Sequence, residues 1–94
     1  MAKAVADPGE LRRFAADLKK FNAEIQGQMA SLQARFGSLE TTWRDQEHAK
    51  FAEEFDQTTK VLKRFLKVSE TQIPFLLRKA QRLEAVSYTH LRAH

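Results

Sequence analysis

The chain has 94 residues, with no cysteine, three glycines and two prolines. A chain of this length forms one small domain at most, and the lack of cysteine excludes disulfides and thiolate metal sites. Hydrophobic residues make up 43% and charged residues 30% of the chain, which is typical of an ordered soluble protein. Because alanine, leucine and long polar residues dominate while valine and isoleucine are few, we expect an all-α fold.

The formal net charge of +4 is unevenly distributed along the chain. Residues 40–56 contain six acidic and two basic residues, whereas residues 57–86 contain seven basic and two acidic residues. An acidic beginning and a basic end complement the dipole of a single helix that runs through both stretches. We therefore interpret the basic half as a solvated helix face, with nucleic-acid binding as the alternative.

The first helix is predicted over residues 8–38, after a flexible N-terminus at residues 1–6. The sequence Asp7-Pro8-Gly9-Glu10 combines a capping aspartate, a proline suited to the first turn and a glutamate at the capping-box position. Gly37 is placed to end this helix.

Apolar residues recur along the first helix in steps of three and four, which predicts a coiled-coil seam. Two consecutive steps of four, from Phe21 to Ile25 and from Ile25 to Met29, predict a stutter at which the supercoil locally unwinds. The predicted core or dimer-interface residues of this helix are Leu11, Phe14, Leu18, Phe21, Ile25, Met29, Leu32 and Phe36.

A turn at residues 39–45 leads into a second helix predicted over residues 46–86, with Thr42 and Asp45 as competing N-caps. Pro74 is expected to kink this helix without ending it, because the apolar periodicity resumes beyond it. Residues 87–94 resemble the translation of sequencing-adaptor read-through, and we interpret them as a tail foreign to the protein. The predicted core or dimer-interface residues of the second helix are Phe51, Phe55, Leu62, Phe65, Ile73, Leu76 and Leu83.

Two long helices joined by a short turn are expected to form an antiparallel hairpin. A lone hairpin buries only a thin seam, yet six of the seven phenylalanines lie on the two apolar stripes. Full burial of each ring contributes about 1.5–3 kcal/mol, much of which an isolated hairpin forfeits. We therefore expect two hairpins to pair into a four-helix bundle, most simply as a homodimer. The alternative is a monomer with a frayed distal helix.

The sequence contains no pattern typical of catalysis, and we expect neither an enzyme nor a cofactor. His48 lies beside Glu47, but metal sites in helix bundles draw ligands from several helices, and the first helix has no histidine. We therefore interpret His48 as a solvated first-turn residue. The longest apolar run, Phe75-Leu76-Leu77, is far shorter than the roughly 20 residues of a membrane span. Nor does the N-terminus contain the apolar segment of a secretory signal.

Trp43 lies in the turn between the two long helices, and Phe51 and Phe55 follow it inside the second helix. This layout over residues 7–86 resembles the Trp-x-Gly family of type VII secretion targets, which are leaderless proteins of about one hundred residues. Asp45 stands at the family's glycine position, and aspartate tolerates positive φ or can cap a helix instead. The family's Tyr-x-x-x-Asp/Glu export signal is not matched by the tail, where Tyr88 is followed four residues later by an arginine.

The resemblance implies a small secreted bacterial protein with a cytoplasmic pool before export. It implies pairing with itself or with a homologous family member, and transfer to a membrane ATPase of the secretion machine, by recognition and without a bond-making step. Neither nucleic acid nor stable membrane insertion is expected. A cytoplasmic coiled-coil adaptor or structural protein is the alternative, and a nucleic-acid-associated basic helix is a third hypothesis.

Overall fold

The computed structural model describes the backbone of residues 6–92 and the side chains of residues 6–86. It contains two helices, α1 (Pro8–Leu39) and α2 (Gln46–Arg92), joined by a turn at residues 40–45. The helices pack side by side in an extended hairpin measuring 75 × 17 × 17 Å. No strand occurs in the described part of the chain, so the predicted all-α hairpin is confirmed.

Helix α1 begins as its sequence predicts. Asp7 adopts an extended conformation, and its Oδ1 atom accepts a hydrogen bond from the Gly9 amide at 3.0 Å. At the other end, the prediction that Gly37 terminates the helix is wrong, because α1 continues to Leu39. The Glu40 amide donates to the Phe36 carbonyl at 3.2 Å. The last carbonyls are thus satisfied without a left-handed glycine, and none occurs in residues 6–92.

Asp45 caps α2. Its Oδ1 atom and its backbone carbonyl both accept from the His48 amide at 3.1 Å. Thr42, the competing candidate, instead donates its hydroxyl back to the Leu39 carbonyl at 3.3 Å. Helix α2 continues through Pro74 and beyond the predicted end at residue 86 as far as Arg92.

The predicted flexible segment 1–6 lies outside the described residues except for residue 6. The helical backbone of residues 87–92 does not bear on the origin of the tail 87–94, which stays a prediction; residues 93 and 94 lie outside the described part.

The two helices meet along a heptad seam, in which steps of four and three alternate. Leu32 and Leu62 continue this repeat at positions that stay exposed. The predicted stutter at Ile25 is wrong, because it depended on counting Phe14 and Phe21 as inward-facing residues, whereas the structure places Ala15 and Asn22 there. The buried and half-buried seam positions are Leu11, Ala15, Leu18, Asn22, Ile25, Met29 and Phe36 on α1, and His48, Ala52, Phe55, Thr59, Leu66, Ser69, Ile73, Leu76, Ala80 and Leu83 on α2.

Polar side chains bridge the helices beside the seam. At the open end of the hairpin, Arg12 forms an ion pair with Glu84, with its Nε atom 3.4 Å from Oε2. The hydrogen bond from Arg12, helped by its positive charge, lowers the pKa of Glu84 below its usual value. Both side chains are half exposed to solvent, so this pair holds the open end only weakly.

Candidate functional site

One side of the hairpin carries most of the exposed large hydrophobic side chains, and we call it the apolar face. Phe21 and Phe65 meet near its centre, with ring centroids 6.5 Å apart in an edge-to-face arrangement. These two rings remain 45% and 49% exposed. The apolar face consists of Phe14, Phe21 and Leu32 on α1 and Phe51, Val61, Leu62, Phe65, Val68 and Phe75 on α2.

The side chains of the seam beneath the apolar face are smaller and more polar than the side chains of the face itself. Asn22 is only 4% exposed and Ser69 only 2% exposed. The Ser69 hydroxyl donates to Asn22 Oδ1 at 3.0 Å, whereas Asn22 Nδ2 has no hydrogen-bond partner among the described residues. The neighbouring residue Phe21 faces outward. The hairpin therefore buries an amide and exposes the adjacent aromatic ring.

The turn end of the hairpin is filled by a cluster of aromatic side chains, the turn cluster: Phe36, Trp43, His48, Phe51 and Phe55. The Phe36 ring lies 5.0 Å from that of Phe55 and stacks on His48 at 5.5 Å with an interplanar angle of 10°. The half-buried Trp43 contacts His48 edge-on at 5.2 Å and Phe51 at 5.7 Å. These contacts close the hairpin above the last turn of α1.

The interpretation of His48 as a solvated residue is wrong, because the rings of Phe36 and Trp43 enclose its imidazole. Its Nε2 atom is buried and finds no hydrogen-bond partner in the described part of the chain. A buried nitrogen without a partner lowers stability.

Replacing His48 by phenylalanine is expected to raise the free energy of unfolding by about 1 kcal/mol, because the stacking remains while the unpaired nitrogen is removed. His48→Ala is the matched variant and is expected to destabilise, since it removes the stacking as well. Chemical denaturation of the three proteins measures the difference. If His48→Phe destabilises the hairpin as much as His48→Ala, the enclosed nitrogen does not lower the free energy of unfolding.

The structure divides the predicted core or interface residues between the seam and the apolar face. Leu11, Leu18, Ile25, Met29, Phe36, Phe55, Ile73, Leu76 and Leu83 lie in the seam, and Phe14, Phe21, Leu32, Phe51, Leu62 and Phe65 lie on the apolar face. Six buried seam residues are absent from the predicted list: Ala15, Asn22, Thr59, Leu66, Ser69 and Ala80. Five of them are small or polar, and the sixth, Leu66, was passed over for the adjacent Phe65. An unbroken seven-residue repeat through these positions was the signal that could have revealed them.

Among the described residues, no group of three or more His, Asp or Glu side chains lies close enough together to hold a metal ion. Over the same part of the chain, neither helix has a stretch long and apolar enough to cross a bilayer.

Comparison with known proteins identifies relatives of the same shape. The family model WXG100, described as proteins of 100 residues with WXG, matches residues 5–86. The secreted protein EsxB of Bacillus anthracis strain Sterne, in a wild-type crystal structure, is 31% identical and superposes with a TM-score of 0.76, covering 88% of this chain and 89% of EsxB. A selenomethionine-labelled EsxB structure is 30% identical with a TM-score of 0.77, covering 93% of this chain and 99% of EsxB. No curated protein matches the sequence.

The matched region contains α1, the tryptophan turn and α2 as far as residue 86. Trp43 takes the tryptophan position of the motif, and Asp45 takes the glycine position, where it caps α2 without adopting positive φ. The substitution leaves the turn intact because a helix cap replaces the conformational freedom of glycine. The chain therefore belongs to the WXG100 family, with a Trp-Arg-Asp variant of the family motif.

Proposed function

We propose that this protein is a substrate of a bacterial type VII secretion system. We further propose that it acts by pairing and recognition, without catalysis. Membership of the WXG100 family supports this proposal, as does the resemblance to EsxB, which is described as a secreted protein. The pairing partner is a second copy of the chain or a homologous member of the family, and the contact is made by the apolar face.

The pairing proposal rests on one observation, namely which residues of α1 face inward in the hairpin. Phe21 and Asn22 are adjacent, so rotating α1 by about 100° about its axis would bury the ring and return the amide to water. Burying the unpaired Nδ2 group of Asn22 costs about 1–3 kcal/mol. Leaving Phe21 45% exposed forfeits part of the about 1.5–3 kcal/mol that full burial of a phenylalanine contributes. An isolated hairpin would gain from the opposite arrangement. The observed arrangement, with Asn22 buried and Phe21 exposed, is favourable when a second apolar surface covers Phe21 and its neighbours.

Pairing precedes export in this proposal. The paired hairpins form a four-helix bundle in the cytoplasm, and the bundle is delivered to the membrane ATPase of the secretion machine. The apolar rings of the bundle are then shielded from water and from other proteins before export, since extended exposed apolar patches promote association. The cytoplasmic pool consists of such paired molecules.

Export can be measured in the native host with an epitope-tagged chromosomal copy. We expect the protein in the culture medium of cells whose secretion machine is active, and only in washed cells when the ATPase gene is deleted. A cytosolic protein assayed in the same fractions controls for lysis. If the tagged protein stays with washed cells while known substrates appear in the medium, the protein is a cytoplasmic adaptor and the export proposal fails.

A further inference from the structure

Exposed side chains at seven-residue intervals form a column along the part of the apolar face that α2 contributes. Residues seven positions apart share one side of a helix in a coiled coil. The three apolar members of the column are 67%, 52% and 57% exposed, so they are covered even less than Phe21. The column, which we call the α2 column, consists of Glu54, Val61, Val68, Phe75 and Arg82, all of them exposed.

The α2 column is complementary to its own reverse. Val68 is its centre, with an apolar residue and then a charged residue at equal distances on either side. When a second column is laid against it in the opposite direction, Val68 meets its counterpart and Val61 meets Phe75. Glu54 meets Arg82 at both ends of the contact. A two-fold axis produces such reciprocal contacts, since residue i then contacts residue j and residue j contacts residue i.

The charges at the two ends of α2 agree with this reversed alignment. Residues 46–56 contain four acidic and one basic residue, whereas residues 78–84 contain three basic and one acidic residue. The acid of the second range, Glu84, already pairs with Arg12. Within the described part of the chain, neither Glu54 nor Arg82 forms an ion pair. Both side chains are therefore available to a partner of complementary charge.

The seam shows where the same two-fold axis crosses α1. The hydrogen bond from Ser69 to Asn22 joins two residues at the same level of the hairpin. Because the helices are antiparallel, Val68, one residue before Ser69, is level with Ala23. An axis that crosses the apolar face at this level, at right angles to the helices, brings α2 against α2 and α1 against α1 of the second copy.

A cavity on the α1 half of the apolar face supports this axis independently. Its volume is about 210 Å³. Its apolar lining residues are Ile25, Met29, Leu32 and Leu62. Phe14, which is 57% exposed, lies nine residues before Ala23, and Leu32 lies nine residues after it. The axis therefore places the Phe14 ring of the second copy over the cavity, beside Leu32.

One contact across this axis is unfavourable. Glu24 is exposed and lies three residues after Phe21, on the same side of α1. It is adjacent to the level of the axis, so the Glu24 carboxylates of the two copies approach each other. Repulsion between exposed charges is weak, and the buried apolar contacts outweigh it.

We propose that the partner of the apolar face is a second copy of this chain, antiparallel to the first about a two-fold axis at Val68, a step that rests on the pairing proposed above. The two Glu54–Arg82 contacts and the two Phe14 rings in their cavities fix this orientation. A homologous protein would need the same features in reverse order, whereas a second copy supplies them by symmetry.

Charge exchange tests the end contacts, with dissociation constants measured by sedimentation at about 50 mM salt, where surface charges are weakly screened. Glu54→Arg and Arg82→Glu each place like charges at both ends and are expected to weaken pairing roughly tenfold. An equimolar mixture of the two variants restores opposite charges at both ends, so we expect the mixture to regain the affinity of the wild-type chain. Glu24→Gln is expected to strengthen pairing, because it removes the repulsion at the axis.

Glu53→Arg is the matched control, because it makes the same change of charge about 100° around the helix from Glu54. It is expected to alter the affinity by roughly twofold at most. Circular dichroism of each variant reports folding, and recovery in the mixture shows that both variants remain competent to pair.

Spin labels test the orientation. The chain has no cysteine, so Thr41→Cys provides a single exposed label site just beyond the end of α1. In the antiparallel pair the two labels are expected about 50 Å apart, because the end of α1 lies sixteen residues from the level of the axis. A separation near the 17 Å width of one hairpin would place the two turns side by side and refute the proposed axis.

The proposal also fails if the mixture pairs no better than its two components, if Glu53→Arg weakens pairing as much as Glu54→Arg, or if Glu24→Gln leaves pairing unchanged or weaker. A wild-type chain that keeps its single-chain mass alone but doubles it with the product of its neighbouring gene refutes the second copy as partner and leaves the proposed pairing intact. Export from cells is measured separately, so its failure is not confused with either result.

Discussion

Replacing Phe21 and Phe65 together by aspartate is expected to abolish pairing and leave a species of single-chain mass, 10.8 kDa. The two rings touch at the centre of the apolar face and are about half exposed in the single hairpin. In a paired bundle the introduced carboxylates would be buried without partners, at a cost of several kcal/mol. The wild-type chain, by contrast, is expected to show twice the single-chain mass in a homodimer, measured by light scattering or sedimentation.

The matched control introduces two aspartates where neither helix faces a neighbour. Ala34 and Gln57 are exposed on the outer sides of α1 and α2, so Ala34→Asp with Gln57→Asp is expected to keep the paired mass. If wild type is a compact, cooperatively unfolding monomer at high concentration and also when mixed with the product of its neighbouring gene, the pairing proposal is refuted. Loss of pairing in both double variants would show that added negative charge alone prevents association.

The elements of the fold could be predicted from the sequence because their signals are local. A capping aspartate before Pro8 marks the start of α1, and Asp45 was one of two candidates for the cap of α2. The helical periodicity of apolar residues after each cap predicts the two long helices, and the short turn between them makes them antiparallel. Trp43 could also be placed correctly, because a large aromatic residue in a turn between helices has few positions other than against their ends.

The identity of the inward face could not be predicted in the same way. Periodicity fixes which residues share a side of a helix, but it does not say which neighbour covers that side. Phe14 and Phe21 form a more hydrophobic row than Ala15 and Asn22, which lie one residue further along the chain. Hydrophobicity alone therefore predicts that the phenylalanine row faces inward. In the structure the Ala15 and Asn22 row faces inward instead. This arrangement has a physical reason only when both the seam and the apolar face are to be buried.

His48 shows a second limit of local sequence reasoning. A histidine in the first turn of a helix, beside acidic residues, is usually solvated, and nothing in the local sequence indicates otherwise. Its enclosure arises from Phe36, twelve residues earlier on the other helix, and from Trp43 in the turn. Such a contact depends on the axial register of the two helices, which the sequence pattern leaves open by whole heptads.

The register at the turn end depends most on Phe36, the α1 residue that contacts three members of the turn cluster. Phe36→Ala is expected to lower the free energy of unfolding by about 2–4 kcal/mol, somewhat less than for a fully buried ring because Phe36 is half-buried. Phe36→Leu retains apolar volume and is expected to cost about 1 kcal/mol. Urea unfolding, at concentrations where all three proteins have the same mass, measures both values.

The two variants separate cavity formation from the loss of aromatic contacts. A cavity at the turn end predicts that alanine costs far more than leucine, because leucine refills most of the space left by the ring. Equal losses would mean that the stacking on His48 and Phe55, rather than the filled volume, holds the hairpin closed. A cost below about 1 kcal/mol for alanine is the size expected of an ordinary surface change. It would show that the turn cluster does not set the register, and that the seam further along the helices must do so.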